Sequence, residues 1–347
     1  RKKDLPLDPR SLHAWRTTRR DLLRLTGASI AAVVGTSLSG AHAQTAYPTR
    51  PLRLVVPYPP GGPTDTAARI IGAALSERLK QPVIIDNKPG ASGSIGIEQV
   101  VRSAPDGLTL GVLANPTLMS PLLGVRQNFD VQHGSTAIGM AYEIPLVLMV
   151  NEKALPGVTN VRELVAAAKA AMSAGKPLSY ATPGVGSFSH LITESMQSLT
   201  GVEFAHISYK GSAPAIADVL AGHVPIMFSD MIAALPHVKA GKLRALAVAS
   251  AARVAFTPDV PTLKEQGFDL QANSWGGIVA APGTPAPIVE RLSTELKVVL
   301  ADAGVKEKML AAGCLATWST PAQFQQHLVS DYARWGKVIQ ERRIKPD

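Results

Sequence analysis

From residue 52 onward, short continuous apolar runs alternate with segments of helical periodicity, and the alternation starts afresh near residue 145. Residues 52–56 form a run of the kind a strand buried on both faces shows, and residues 64–79 carry Ala67, Ile70, Ile71, Ala74 and Leu75 at helical spacing. Residues 83–85 read as the next strand. A helix over 95–103 and a strand over 108–113 follow the turn Asn87-Lys88-Pro89-Gly90. The second series runs strand 145–150, helix 161–172, strand 178–181, helix 189–199, strand 204–207, helix 213–220, and strands 225–228 and 243–249. Repeated βαβ units with right-handed crossovers predict an α/β fold with two helix-covered parallel sheets.

The end of the chain divides these sheets. A last strand at 278–281 precedes Pro282-Gly283-Thr284-Pro285 and helices over 288–300, 305–312 and 321–339, with no strand after 281. This helical tail must pack on an earlier sheet, most simply the first. The first domain is then discontinuous, residues 44–146 plus 275–347, and the second is 147–274. The chain crosses between them near 144–150 and 272–278, a two-strand hinge suited to closing a cleft over a ligand.

Composition supports large cores. Of 347 residues, 46% are hydrophobic and 18% charged, far from the profile of a disordered chain. The net charge of +9 suggests nucleic acid until it is divided by position: residues 1–43 hold eight Lys/Arg against three Asp/Glu, leaving a mild excess elsewhere. With only 5% aromatic residues and no basic run interleaved with them, a nucleic-acid footprint is missing.

The first forty-three residues read as an export signal. Thr18-Arg19-Arg20-Asp21-Leu22-Leu23 resembles a twin-arginine motif, a weakly apolar stretch follows, and Ala41-His42-Ala43 is a small-x-small cleavage site, with cleavage expected after Ala43. The apolar stretch is shorter than the ~20 residues needed to cross a bilayer. A periplasmic location follows, and the single cysteine, Cys314, rules out an internal disulfide there. It reads as a buried small hydrophobe. The eight histidines are scattered without metal-ligand spacing, so no metal and no cofactor is expected.

Ligands of open α/β sheets bind outside the carboxyl ends of the strands, which singles out two loops. The first is Pro57-Tyr58-Pro59-Pro60-Gly61-Gly62-Pro63-Thr64-Asp65, where Thr64 or Asp65 can cap the following helix. The second is Thr182-Pro183-Gly184-Val185-Gly186-Ser187-Phe188-Ser189-His190. Small residues leave backbone N–H groups free at a helix start, where an anion is stabilised without a full positive charge. Taken singly, each loop is also an ordinary turn; together, on paired βαβ units, they favour an anion site. Ser187, Ser189 and His190 admit a hydrolase reading, but no Gly-x-Ser-x-Gly elbow is present and no oriented base is evident. His190 reads as a packing or capping histidine as readily as a ligand. Asp230 either meets a ligand hydroxyl or amine or caps the next helix.

The series VVPYPPGGPTD (55–65), PVIIDNKPGASGSIG (82–96), SAPDGLTLGV (103–112), YATPGVGSFSHL (180–191), ISYKGSAPAIADVLAGHV (207–224), GKLRALAV (241–248), DVPTLKEQGF (259–268) and APGTPAPIVERL (281–292) resembles the Bug-type extracytoplasmic solute receptors, the TctC family. These are the substrate-binding subunits of tripartite tricarboxylate transporters. The resemblance implies a two-domain periplasmic-binding-protein fold, the type II-like Venus flytrap with a cleft between its domains, and no enzymatic activity. It also implies a small organic carboxylate gripped by the two loops, largely through main-chain amides and water. Carried over, Tyr58, Gly61, Gly62, Thr64 and Asp65 hold one side of the carboxylate, and Thr182, Gly184, Gly186, Ser187, Ser189 and His190 the other. Asn115, Thr117 and Asp230 read the rest of the ligand. Phe129-Asp130-Val131-Gln132-His133-Gly134-Ser135 departs from the family pattern at the edge leading to the hinge.

The expected function is capture of a small carboxylate in the periplasm and delivery, as a monomer, to the membrane subunits of a tripartite transporter. A sensory receptor docking on a membrane histidine kinase needs the same cleft and differs only in outer surface. A serine hydrolase using Ser187 or Ser189 with His190 is the third reading.

Overall fold

The structure, a computed structural model, describes residues 47–345, so the expected export segment lies outside the described residues. The first series of elements is β1 (Leu52–Val56), α1 (Pro63–Leu79), β2 (Val83–Asn87), α2 (Ser94–Val101), β3 (Thr109–Ala114) and α3 (Asn115–Met119). Leu52, Leu54, Val55 and Val56 are fully buried, as a continuous apolar run requires of a central parallel strand. β1 pairs in parallel with β2 on one side and β3 on the other.

The long strand β4 (Thr136–Val150) then serves two sets of partners. Its first half runs antiparallel to β9 (Asn273–Ala280), from Thr136 opposite Ala280 to Pro145 opposite Asn273. Its second half runs antiparallel to β7 (Ile226–Asp230), from Leu146 opposite Asp230 to Val150 opposite Ile226, and to β8 (Arg244–Val248). The change of partner falls at Pro145, which has no N–H to give a ladder and so suits the end of one. Between β4 and β8 lie α4 (Val161–Ser173), β5 (Ser179–Thr182), α5 (Phe188–Thr200), β6 (Ala205–Ser208), α6 (Ser212–Ala221), β7 and α7 (Met231–Lys239). β5 pairs in parallel with β6 and β7. The strands form one curled path, β2-β1-β3-β9-β4-β7-β5-β6, with β8 and β10 (Leu315–Ala316) attached to β4.

The tail packs on β4 and on helices of both series. α8 (Ala286–Ala301) lies against α1 and β4, and α9 (Ala303–Ala311) against α1. α10 (Pro321–Glu341) lies against β4 and α3 and also reaches α5. Its buried face, Phe324, Leu328, Asp331, Trp335 and Ile339, follows helical spacing with one charged residue in the stripe.

The structure corrects five expectations. The sheet is mixed, because β9 is antiparallel to both β3 and β4. β4 begins at Thr136 rather than 145; register shifts at Ala137/Gly139 and Met140/Tyr142 break the alternation that marks a strand. β10 is a strand after residue 281, too short to leave a pattern. α7, absent from the expected elements, contains Pro236, and β9 begins at Asn273, where Gly276 and Gly277 dilute the apolar run.

Candidate functional site

The first loop leaves β1 and enters α1 with Gly62 as the N-cap and Pro63 as the first helical residue, where a missing N–H costs nothing. Asp65 does not cap the helix. Its side chain turns back into the loop, accepting from the Gly61 amide at 2.8 Å, Arg69 Nε at 2.8 Å and Asn87 Nδ2 at 2.9 Å. Asn87 Nδ2 also donates to the Tyr58 carbonyl at 3.1 Å. Burial alone would raise the Asp65 carboxyl, but these donors and the Arg69 charge hold it below the usual range. The residue is therefore the brace of the loop.

Thr117, at the start of α3, donates to the Ser92 carbonyl at 2.9 Å, so the Tyr58 hydroxyl is the donor in its 2.8 Å bond to Thr117 Oγ1. Ser92 belongs to a turn that sequence reasoning did not include in the site. Ala91 and Ser92 lie at φ 47° and 53°, in the left-handed region that non-glycine residues rarely adopt. Beside them a Cβ on Gly93 would overlap the Thr117 hydroxyl. The signal for this turn was the PGASGSIG motif, read only as part of the resemblance.

The second loop leaves β5 and enters α5, capped by Ser187, whose Oγ accepts from the His190 amide at 3.3 Å. His190 Nδ1 accepts from the Gly186 amide at 3.0 Å, its Nε2 lies 3.7 Å from Glu194, and its ring stacks on His206 at 4.1 Å. Ser189 Oγ donates to the Phe228 carbonyl of β7, and Thr182 Oγ1 is 2.7 Å from His206 Nε2. No hydrogen bond joins Ser187 Oγ or Ser189 Oγ to the His190 ring, so these three residues make no nucleophile–base pair. The Gly184 carbonyl accepts from the Ser187 amide at 3.2 Å. The amides of Gly61, Gly186 and Ser187 are thus engaged within their own loops. An α-helix leaves its first amides without intrahelical partners, here those of Thr64 and Asp65 in α1 and of Phe188 and Ser189 in α5.

Asp230 ends β7, and instead of capping α7 it accepts a short hydrogen bond from Ser274 Oγ of β9. Burial pushes its carboxyl up, and the Ser274 bond offsets this only in part. Tyr142 of β4 lies across Gly276, its partner on β9, and its buried hydroxyl has no partner of hydrogen-bond geometry although Thr64 adjoins it. Tyr58 and Asp230 are among the groups that act on it electrostatically. Asn115 Oδ1, after β3, accepts from the Trp275 amide at 3.3 Å. Tyr142, Ser274 and Trp275 carried no sequence signal, since only strand pairing brings them here.

Gly186 is the point at which the second loop meets the first series of elements. It sits at φ 72°, and a Cβ there would overlap the side chain of Leu123, in the single turn Ser120–Leu123 that follows α3. The second loop therefore closes on the turn that follows the helix carrying Asn115 and Thr117, the residue that accepts from Tyr58 of the first loop. Neither loop contains a lysine or arginine. Among the described residues no group of His, Cys, Asp and Glu could hold a metal ion, and no helix is long and apolar enough to cross a membrane.

Residues 67–344 match the model of the tripartite tricarboxylate transporter family receptor. BugT of Bordetella pertussis (strain Tohama I) is 34% identical over 302 residues, 86% of this chain and 91% of BugT. An R. palustris protein solved with adipate is similar at a TM-score of 0.76 and 34% identity, over 87% of this chain and 100% of that one. MatC from Rhodopseudomonas palustris with bound malate gives a TM-score of 0.71 at 29% identity, over 84% and 100%. The periplasmic binding protein BugD gives 0.71 at 29%, over 87% and 100%. Agreement of sequence and fold over nearly all of the described chain means that it belongs to the receptor family of the tripartite tricarboxylate transporters and has the two-domain α/β fold of periplasmic binding proteins.

Proposed function

We propose that the protein captures a small organic carboxylate in the periplasm and delivers it unchanged to the membrane subunits of a tripartite transporter. The observation that carries this reading is the contact of the Gly186 loop with Leu123, next to the helix whose Thr117 accepts from Tyr58 of the first loop, with no lysine or arginine in either loop; in this reading the two helix starts share one cleft. Helix-start amides and their dipoles favour a singly negative group there without requiring an ion pair. Similar proteins solved with adipate and with malate support the carboxylate class.

Residues 44–146 with 275–347 form one lobe in this reading and residues 147–274 the other, joined where β4 changes partners and where the chain enters β9. Tyr58, Gly62 and Thr64 face the solute from one lobe and Gly184, Ser187 and Ser189 from the other. Asp65 and His190 brace these loops, and Asn115, Thr117 and Asp230 read the far end of the solute. Closure removes water and shifts the population towards the form the transporter recognises. Export, with cleavage after Ala43, places a monomer in the periplasm.

A thermal-shift series with adipate, malate, inorganic phosphate and glucose tests the reading. A carboxylate at ~100 times its dissociation constant adds about 2.7 kcal/mol of stability. Gly186→Val is expected to abolish the response, because its side chain would occupy the space of Leu123. Stabilisation by phosphate or glucose with none by either acid would overturn the assignment, and so would hydrolysis of an ester lost in Ser189→Ala.

A further inference from the structure

Asp331 stands alone as a charged group on the buried face of α10, and both of its oxygens are taken. Trp275 Nε1 donates to Oδ2 at 2.8 Å and Trp335 Nε1 to Oδ1 at 2.9 Å. Neither indole nor carboxylate is open to water, with Trp275 2% exposed, Trp335 1% and Asp331 7%. The two indoles go to different oxygens of one carboxylate, and an amide in its place would offer one oxygen and an NH2 group that cannot accept.

What the two indoles hold is more informative than the carboxylate. Trp275 lies on β9, the strand paired along the first half of β4, and its backbone amide donates to Asn115 in the site. The Trp335 ring packs on Phe188 at 5.0 Å between centroids, and Phe188 stands between Ser187 and Ser189 at the start of α5. A second tie joins the same helices: Arg342, just past α10, donates to Glu194 of α5 at 2.6 Å and to Glu203 at 3.0 Å.

We propose that Asp331 is a positioning residue for solute binding, clasping the strand behind Asn115 to the helix start of the second loop through Trp275 and Trp335. The inference rests on the two-loop cleft being the solute site. Asp331 acts through the indoles: it fixes the distance between β9 and Phe188, and hence the place where the Phe188 and Ser189 amides stand when the loop meets Leu123. A geometry set in advance lowers the cost of ordering the loop on each binding event.

Asp331→Asn keeps the size of the side chain and loses one indole bond. Hydrogen–deuterium exchange of the full protein is expected to quicken about fivefold over residues 184–190 and 273–280, while peptides of β1 to β3 keep their rates. Loss of one hydrogen bond to a buried charged acceptor predicts about a tenfold rise in the Kd for adipate or malate, carried by faster dissociation. Unchanged exchange in both segments, or equal acceleration everywhere, would overturn the proposal, as would an unchanged Kd beside a lowered melting temperature. Should Asp331→Asn fail to fold, Trp335→Phe decides, since it keeps a ring against Phe188 while removing the donor; because the smaller ring also leaves a cavity, faster exchange confined to residues 184–190 and 273–280 supports the clasp and equal acceleration everywhere overturns it. If the wild type binds neither acid, that failure belongs to the carboxylate reading, and the local exchange pattern still decides the clasp.

Discussion

A buried carboxylate is expensive unless its surroundings are built for it, and Asp65 shows what that expense secures. Three donors from Gly61, Arg69 and Asn87 converge on it, so one acidic side chain ties the first loop to its own helix and to the end of β2. Asp65→Ala is expected to cost about 3 kcal/mol in urea denaturation, because the donors lose a buried charged acceptor. A loss below about 1 kcal/mol would mean that water replaces the carboxylate at no penalty. The residues of both loops were legible because glycine, proline and small polar residues cluster between strand and helix for physical reasons. Their division of labour was not. Gly61 and Gly186 spend their amides on Asp65 and His190, each four residues on, and Asp65 also joins Arg69 of its own helix to Asn87 of β2; residue type does not say which way such side chains turn.

At the scale of elements, ends matter as much as interiors. α10 opens on a reciprocal pair, with Thr320 Oγ1 accepting from the Gln323 amide and the Gln323 side chain accepting from Thr320. Thr320→Ala is expected to lower stability by about 1 kcal/mol, measured as a shifted denaturation midpoint at constant slope. The link between α5 and α10 has a pH signature. Burial by itself would raise Glu194, but bonds from the neighbouring His190, Arg342 and Tyr180, with the Arg342 charge, hold it at about 2 against an ordinary 4.5. A folded-state value below the unfolded one gives stability that is complete above 4.5 and drains away as pH falls towards 2. The melting temperature should therefore decline across that window, and Glu194→Gln should flatten the decline. The same slope in both proteins would assign the acid loss to other carboxylates.

For the molecule as a whole, the decisive feature is that β4 belongs to two sets of strands and β9 runs beside its first half. In the two-lobe reading proposed above, these two adjacent strands pass between the lobes and are the hinge of closure. Small-angle scattering is expected to show a smaller radius of gyration with adipate or malate than without, and the Gly186→Val protein should keep the larger value in both. An unchanged radius in a sample stabilised by ligand would mean that the lobes are already shut and that the solute enters by local opening of a loop.

Read alone, the chain determined the α/β class, the run of helices that closes the chain, and the two glycine-bearing loops between strand and helix. Each of these is written in local periodicity or in residues that punctuate it, such as the run at residues 52–56 and the glycines of residues 183–187. Tertiary structure alone decided the antiparallel place of β9, the full length of β4, the arrival of Tyr142, Ser274 and Trp275 at the site, and the grip of Asp331 on two indoles. A single side chain carries no record of a partner 56 or 160 residues away, as Asp331 and Asn115 are from Trp275. Such pairs exist only once strand register has been set by burial over the whole sheet.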